Sequence, residues 1–456
     1  ISLILNKNFY KKLFLYFGII FNLSLLSYYK YSLFILEDIL NLDINGNNLK
    51  NLILPIGISF YTFQQIAFLV DTYKQETHEK SLKFYTIFVC FFPQLIAGPI
   101  VRYQEIKEQF YNINKNRNNL WRDLSCGIIL ITIGLFKKVI LSEQMGYWAD
   151  RTFFLVSYQE NVTFIEAWLG ILCFSFQIYF DFSAYSDIAI GLGLLIGIKL
   201  PVNFNSPYKS ESIIDFWRTW HITLSNFLKI YIYIPLGGNS SGNYNKYIFL
   251  IIVMFVGGVW HGAGWTFILW GFFHGVLLVI NHFWRDVKLR NNFEAIQFSF
   301  IFKFSTFILV SLGWVLFRSP DLDSALRMYE GLFLLNGFYL PTHYESFFGE
   351  FNLILNEIGI KFGTLKSYGG GSQIIWVFCM LVFVWYLPNS NKIWKFLYNN
   401  QSVKFSKKIS LNKVLNSSNI INKISYFLGA VVALTLFFIL IKIIQGKQGE
   451  FIYFQF

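Results

Sequence analysis

The stretch that decides the fold reads WHGAGWTFILWGFFHG and spans residues 260–275. It lies inside an apolar region, residues 247–283, where His261 stands between the pair Gly257–Gly258 and the two glycines of segment 262–264. Each glycine costs a helix roughly 1 kcal/mol relative to alanine, so we expect the helix to be weakened around His261. Irregular backbone at membrane depth is tolerated only where protein or a water-filled cavity covers it. An ionisable side chain at such a break predicts a functional site.

Composition places the chain among multi-pass membrane proteins. Of the 456 residues, 55% are hydrophobic and 14% are charged, whereas soluble domains carry about 25% charged residues. Aromatic residues make up 20% of the chain, which suits a surface that faces lipid. The net charge is +12, but no basic domain or recognition motif accompanies it, so we expect no nucleic-acid partner. The positive charge is better explained by orientation in the membrane.

The distribution of charge along the chain predicts which loops lie in the cytoplasm. Residues 389–423 contain seven lysines and no acid, and residues 285–303 are also net basic. Residues 321–372 contain six acids and three bases. By the positive-inside rule we expect the two basic segments in the cytoplasm and an extracytoplasmic cap of residues 319–373. The alternation of spans then leaves the aromatic tail, residues 445–456, outside as well.

The apolar segments predict an all-α polytopic membrane protein with about ten or eleven transmembrane or re-entrant helices in a single domain, residues 1–456. Several segments are shorter than the roughly 20 residues that a straight span needs, which favours broken or re-entrant helices. Because the chain begins with Ile1 rather than Met, we expect native N-terminal spans to be missing. The predicted segments are residues 13–36, 51–70, 84–101, 124–141, 162–180, 184–200, 247–260, 263–283, 301–317, 374–387 and 426–444.

Residues 216–236 are expected to form one amphipathic helix at the membrane interface or along a pore. Apolar side chains recur there at helical spacing, beside a polar stripe of Arg218, His221, Ser225 and Lys229. The pattern alone gives His221 two interpretations, a polar interfacial residue on a solvated stripe or a general base. Cationic neighbours favour the neutral imidazole that a general base needs.

Two acidic residues, Asp181 and Asp187, lie inside an apolar stretch, where a carboxylate is costly and is usually paired. A structural hydrogen bond and a proton relay are both open interpretations for them. The nearby Gly191, Gly193 and Gly197 are interpreted as small residues that allow close helix packing. His, Cys, Asp and Glu show no metal-ligand spacing, so we expect no metal. These patterns alone fit an acyltransferase, an intramembrane hydrolase or a proton-coupled transporter.

An ordered set of motifs resembles the membrane-bound O-acyltransferase (MBOAT) superfamily, specifically the bacterial branch typified by the alginate O-acetyltransferase AlgI and the peptidoglycan O-acetyltransferase PatA. The set covers most of the chain and is specific as a whole, although no single piece is. Family members usually carry further N-terminal spans, which agrees with a missing N-terminus. In order, the pieces are ISFYTFQQIAFLVD (58–71), FFPQLIAGPIVR (91–102), QIYFDFSAYSDIAIGLG (177–193), FWRTWHITLSNFLKIYIYIPLGGN (216–239), GGVWHGAGWTFILWGFFHG (257–275) and the ending FIYFQF (451–456).

The resemblance implies tilted and re-entrant helices around a central tunnel, and acetyl transfer from cytoplasmic acetyl-CoA toward an acceptor outside. It assigns the catalytic histidine to His261 and the second histidine, in the WRxWH motif, to His221. A neutral imidazole can take the proton from a hydroxyl that attacks a thioester, which is worth ~10²–10⁴-fold in rate. His274 is expected on nearly the opposite helix face from His261, at about 100° per residue, and in a structural role.

The phosphates of acetyl-CoA require positive charge on the cytoplasmic side, and the predicted contacts are Lys137, Lys138, Arg102 and Arg218. Tyr453 lies among phenylalanines at the C-terminus. One hypothesis makes it an interfacial aromatic anchor. The other makes its hydroxyl an acyl carrier that offers the acetyl group to an extracytoplasmic partner.

The expected function is O-acetylation of cell-wall peptidoglycan by a multi-pass protein of the bacterial inner membrane. Alginate or another exopolysaccharide is the alternative acceptor within the same class. The resemblance implies a separate extracytoplasmic SGNH or esterase-like O-acetyltransferase as partner, besides membrane lipid and the glycan polymer. A transporter that moves an acyl donor or lipid without chemistry is the alternative of a different class. A purely structural membrane partner is disfavoured by the polar groups at depth.

Overall fold

The computed structural model describes residues 10–42, 54–77, 79, 81–95, 98–113, 120–290, 299–396, 398 and 418–446. Turns of π-helix follow three of the helices, at Ser27–Tyr31 and Phe34–Ile39 after the first of them, and at Lys137–Ser142 and Lys229–Tyr233 after the other two. The helices and strands are α1 (Lys11–Leu26), α2 (Ile58–Tyr73), α3 (Leu82–Val89), α4 (Phe92–Leu95), α5 (Tyr103–Tyr111), α6 (Leu120–Phe136), α7 (Glu143–Ser157), α8 (Phe164–Ile196), α9 (Ile213–Thr219), α10 (Ile222–Leu228), α11 (Gly242–His261), α12 (Trp265–Arg290), α13 (Ser299–Arg318), α14 (Leu322–Leu332), β1 (Phe338–Pro341), α15 (Glu345–Phe348), α16 (Phe351–Glu357), β2 (Ile360–Gly363), α17 (Gly371–Tyr386), α18 (Ser390–Phe396) and α19 (Ser418–Gln445).

Six helical stretches in the described part of the chain are long and apolar enough to cross a membrane. α17 and α18 meet at a 47° bend and together make a seventh candidate, while Gly429–Ile444 within α19 is apolar but shorter. The prediction of a helical, multi-pass membrane protein is confirmed. The six stretches are Lys11–Tyr31, Leu120–Ser157, Phe164–Ile196, Tyr244–His261, Trp265–Val287 and Ser299–Arg318.

Two predicted segments, residues 162–180 and 184–200, form the single helix α8 of 33 residues, so the prediction of two separate spans there is wrong. The residues between the two segments include Asp181, whose charge is compensated within the protein. An oxygen of the Asp181 carboxylate lies 2.6 Å from the Nζ of Lys138, which gives the buried charge a cation at mid-helix. A paired carboxylate does not require the helix to break.

α8 is the helix around which the others assemble, and it packs against α6, α7 and α13. A Cβ atom on Gly191 would lie 2.8 Å from the carbonyl oxygen of Gly127 in α6, so these glycines allow the two backbones to approach. Close packing is therefore confirmed for Gly191. It is wrong for Gly197, which has open space around it and ends α8 with φ of 86°.

The largest core cluster is aromatic and surrounds the middle of α8. It includes the fully buried rings of Phe174, Phe176, Trp220, Trp270 and Trp314. Lipid is as apolar as these rings, so close packing rather than the hydrophobic effect holds them together in a membrane. The cluster brings side chains from α8, α9, α12 and α13 to one place, where the two motif histidines also lie.

The segment predicted as a cap, residues 319–373, has regular structure of its own. Asp321 is the N-cap of α14, and its Oδ1 accepts a hydrogen bond from the backbone N–H of Ser324 at 2.8 Å. β1 and β2 pair in parallel. The segment is attached to the start of α8, where Trp168 donates a hydrogen bond from its indole to the carbonyl of Leu332.

Candidate active site

His261 is the last residue of α11, and α12 begins four residues later at Trp265. The predicted weakening is therefore confirmed on the side of Gly262 and Gly264, where the helix stops. It is wrong for Gly257 and Gly258, which stay helical. A Cβ atom on Gly258 would lie 2.4 Å from the carbonyl oxygen of Phe267, so this glycine lets α12 pack directly on the backbone of α11.

His221 lies between two helices rather than within one. α9 ends at Thr219, α10 begins at Ile222, and His221 itself has φ of 41° and ψ of 54°. The single amphipathic helix predicted over residues 216–236 is therefore wrong. The residues of the predicted polar stripe do not share one face, because the Arg218 side chain is 67% exposed while His221 is completely buried. The interpretation of His221 as a solvated interfacial residue is also wrong.

Asn203 holds His221 in this conformation. The carbonyl of Asn203 accepts a hydrogen bond from the backbone N–H of Ile222 at 2.9 Å. Its side-chain Oδ1 accepts from the backbone N–H and the hydroxyl of Thr223 and lies 3.1 Å from Nδ1 of His221. An amide oxygen only accepts hydrogen bonds, so Nδ1 of His221 carries the proton and Nε2 carries the lone pair. Nε2 has no hydrogen-bond partner among the described residues.

The two motif histidines come together although 40 positions separate them in the sequence. The ring centroids of His221 and His261 are 6.5 Å apart, and His261 is 4% exposed. Trp260 contacts both rings, with centroid distances of 6.1 Å to His221 and 4.9 Å to His261. Trp270 and Phe317 pack edge-on against His261 at 5.0 and 5.2 Å. The pair thus forms a buried, aromatic-lined site, and a neutral imidazole there can exchange a proton with a reactant.

Lys30 is a site residue that the sequence analysis missed. It lies in the turns that follow α1, and its ammonium donates hydrogen bonds to the carbonyls of Trp260 at 2.9 Å and His261 at 2.7 Å. The available signal was a lysine inside the apolar segment 13–36, where an ionisable group is costly and points to a function or a partner.

His274 belongs to the same aromatic cluster as His261. The argument from 100° per residue does not apply, because the helix breaks between the two histidines. Trp270 contacts both, with ring centroids 5.0 Å from His261 and 5.0 Å from His274. His274 is completely buried among Trp217 and other rings, and its role stays a prediction.

The lysines predicted to bind acetyl-CoA lie against acids of α8. Nζ of Lys137 is 2.6 Å from Oδ2 of Asp187 and also lies within hydrogen-bond distance of the hydroxyls of Ser183 and Ser390. Lys138 is paired with Asp181 in the same way. Asp187 is thus paired too, as a buried carboxylate should be. A contact of either lysine with acetyl-CoA stays a prediction.

The two predicted arginines differ in their surroundings. Arg102 forms ion pairs with Asp71 at 3.0 Å and Glu76 at 2.8 Å, and its side chain is 23% exposed. Arg218 is largely exposed and forms an ion pair with Asp215 at 3.4 Å. Tyr453, the predicted acyl carrier, lies outside the described residues.

This chain is similar to known proteins over most of its length. The family model of MBOAT, the membrane-bound O-acyltransferase family, matches residues 8–319. A peptidoglycan O-acetyltransferase of Helicobacter pylori is 41% identical over 390 residues, which are 79% of this chain and 73% of that protein. A probable alginate O-acetylase AlgI of Pseudomonas putida is 40% identical over 324 residues, 69% of this chain and 64% of that protein.

A more distant relative acts with a different acyl group. A teichoic acid D-alanyltransferase of Streptococcus thermophilus is 29% identical over 258 residues, which are 54% of this chain and 61% of that protein. The matched region of the family model contains both His221 and His261, and it covers more than half of the sequence. The chain therefore belongs to the membrane-bound O-acyltransferase family of enzymes.

Proposed function

We propose that this protein transfers an acetyl group from cytoplasmic acetyl-CoA across the bacterial inner membrane for O-acetylation of cell-wall peptidoglycan. The observation that carries the proposal is the convergence of His221 and His261, 6.5 Å apart, in a buried aromatic site. The choice of peptidoglycan rests on the Helicobacter pylori relative, which is a peptidoglycan O-acetyltransferase.

His261 acts as the general base in the proposed reaction. Its imidazole takes the proton from the attacking hydroxyl, the new O–C bond forms, and the C–S bond of the thioester breaks. The proton then passes to the departing thiolate, so that free CoA and an acetyl ester are the products. Nδ1 of His221 keeps its proton and donates it in the hydrogen bond to Oδ1 of Asn203, and the lone pair of Nε2 is offered to the acyl donor or acceptor. The aromatic walls exclude water and so limit hydrolysis of the thioester.

Of the four predicted cations, Arg218 is the one that we assign with preference to the phosphates of acetyl-CoA. Its side chain is 67% exposed, and a guanidinium binds phosphate in a bidentate manner. Lys137, Lys138 and Arg102 are retained as further candidates, although each lies in an ion pair that is more buried than that of Arg218.

The acceptor side is proposed to lie outside the cytoplasm, where the cap and the C-terminal tail would meet an SGNH or esterase-like transferase. Tyr453 would carry the acetyl group to that partner. Replacing Tyr453 with Phe is expected to abolish acetylation of the glycan without changing thermal unfolding. Unchanged glycan acetylation would leave Tyr453 as an aromatic anchor.

The central experiment measures acetyl transfer by the purified protein from radiolabelled acetyl-CoA, following CoA release and label on protein or glycan. His261→Ala is expected to reduce transfer by ~10²–10⁴-fold, the usual worth of a general base. His343→Ala, an exposed histidine in the cap, is the matched control and should behave as wild type. If wild type releases no CoA, or if His261→Ala equals wild type, the chain acts without this chemistry and transport of an acyl donor replaces the proposal.

Alginate is the second candidate acceptor, because the Pseudomonas putida relative is a probable alginate O-acetylase. Parallel assays with peptidoglycan fragments and with alginate decide between the two. Acetyl ester on peptidoglycan alone supports the preferred acceptor, and ester on alginate alone replaces it.

A further inference from the structure

The turns after the first helix hold the end of the helix that carries His261. The ammonium of Lys30 donates to the carbonyls of Trp260 and His261, at 2.9 and 2.7 Å. The hydroxyl of the neighbouring Tyr31 donates to the carbonyl of Val259 at 2.6 Å. These three carbonyls belong to the last turn of α11, where no later helical residue can donate to them.

These three hydrogen bonds form a clamp at the end of α11, where the helix would otherwise loosen. The chain leaves the helix after His261 through Gly262 and Gly264, so the imidazole stands on a terminal residue. Helix ends fray, and in a membrane their carbonyls find no water to replace the missing partners. A cation is also the charge that a helix C-terminus favours, because the last carbonyls carry partial negative charge.

We propose that Lys30 is a positioning residue for His261, which fixes the end of α11 so that the imidazole meets the reacting hydroxyl. The inference rests on the proposed acyl transfer with His261 as base. The observed hydrogen bonds of Lys30 go to backbone carbonyls, so its effect on the reaction passes through His261. A displacement of about 1 Å in a reacting group can cost on the order of 10²-fold in rate.

The first test compares Lys30→Met with Lys12→Met, a change at an exposed lysine of α1. Lys30→Met is expected to lower kcat by ~10–100-fold, with the KM for acetyl-CoA within about twofold of wild type, because misplacement affects the transition state more than donor binding. Lys12→Met should keep both constants. Lys30→Arg retains a cation with several donors and should keep kcat within about fivefold. A kcat of Lys30→Met within twofold of wild type, or a loss confined to KM, overturns the proposal.

A double-mutant cycle separates positioning from general stability. If Lys30 acts through His261, Lys30→Met causes no further loss of the residual transfer in a His261→Ala background. An equal fold-loss in both backgrounds overturns the proposal. If Lys30→Met fails to fold, judged by thermal unfolding and elution, Lys30→Gln against Lys30→Arg replaces it, and equal kcat for these two overturns it.

The cycle also distinguishes this inference from the proposed function. If His261→Ala transfers acetyl groups as fast as the wild type, the acyl-transfer proposal itself is wrong. Transfer that depends on His261 but not on Lys30 removes only the positioning role.

Discussion

At the scale of single residues, His221 owes its place to an asparagine 18 positions earlier in the chain. A non-glycine residue with positive φ is uncommon, and helical periodicity gives no sign of one. The sequence could predict the break after His261, because the glycines stand beside it. It could not predict the turn at His221, because Asn203 acts across space rather than along the helix.

Asn203→Ala is expected to destabilise the protein by about 1–3 kcal/mol, because it leaves buried donors of Thr223 and His221 without their acceptor. The same change frees the tautomer of His221, so acetyl transfer should fall as well. Thermal unfolding and the transfer assay measure the two effects. Asn161→Ala, at an exposed asparagine, is the matched control. Equal stability of the two variants would contradict the role of Asn203.

At the scale of elements, the contact of α11 with α12 depends on glycines at the crossing. Gly258 faces Gly271, and a Cβ atom on Gly258 would lie 3.0 Å from the Cα of Gly271. The sequence analysis interpreted Gly258 as helix-weakening, since propensity is a local quantity. Its packing role depends on a neighbouring backbone that only the fold supplies.

Gly258→Ala is expected to cost about 1–3 kcal/mol in the free energy of unfolding, the usual effect of overpacking, because the neighbouring atoms are backbone and cannot move aside easily. The control is Gly264→Ala, where a Cβ atom would meet its nearest neighbour at 3.7 Å. Chemical or thermal unfolding of both variants decides the matter. A Gly258→Ala variant as stable as Gly264→Ala would exclude the tight crossing.

The ion pairs along α8 explain why two predicted spans are one helix, and they make a second prediction at this scale. Lys137→Met leaves Asp187 buried without its cation and is expected to cost about 3–5 kcal/mol. Lys137→Met combined with Asp187→Asn should recover part of that loss, as unfolding experiments can measure. If the principal role of Lys137 were binding acetyl-CoA, the single variant would keep its stability and raise the KM for the donor.

At the scale of the whole molecule, composition predicted the class of fold correctly, whereas the hydropathy pattern divided the single helix α8 into two spans. Apolar content and scarce charge are totals over the whole chain, so a wrong helix boundary at one place does not change the class of fold that they predict. The positions of breaks are decided by pairs such as Asp181 with Lys138, which a hydropathy pattern registers only as interruptions. Lys30 was missed for the same reason, since its carbonyl partners are 230 and 231 residues away.

Orientation in the membrane is the remaining property of the whole molecule that the charge pattern predicts. In a variant whose four cysteines are replaced by alanine, Ser346→Cys in the cap should react with a membrane-impermeant maleimide from outside right-side-out spheroplasts. Arg285→Cys, in a segment expected in the cytoplasm, should react only after the membrane is opened. The reverse pattern of labelling would invert the proposed topology.

The clamp at Lys30 also constrains how the protein is made. Its partner carbonyl on His261 is synthesised 231 residues later, and at ~5–20 residues per second the ribosome needs roughly 10–50 s to reach it. During that interval the nascent segment after α1 carries a lysine whose hydrogen-bond acceptors on α11 do not yet exist. The side chain must meanwhile reach the lipid headgroups or shelter against the insertion machinery. Assembly of the site is therefore a late event that follows insertion of α1, because the segment after α1 can bind the end of α11 only once α11 has been made.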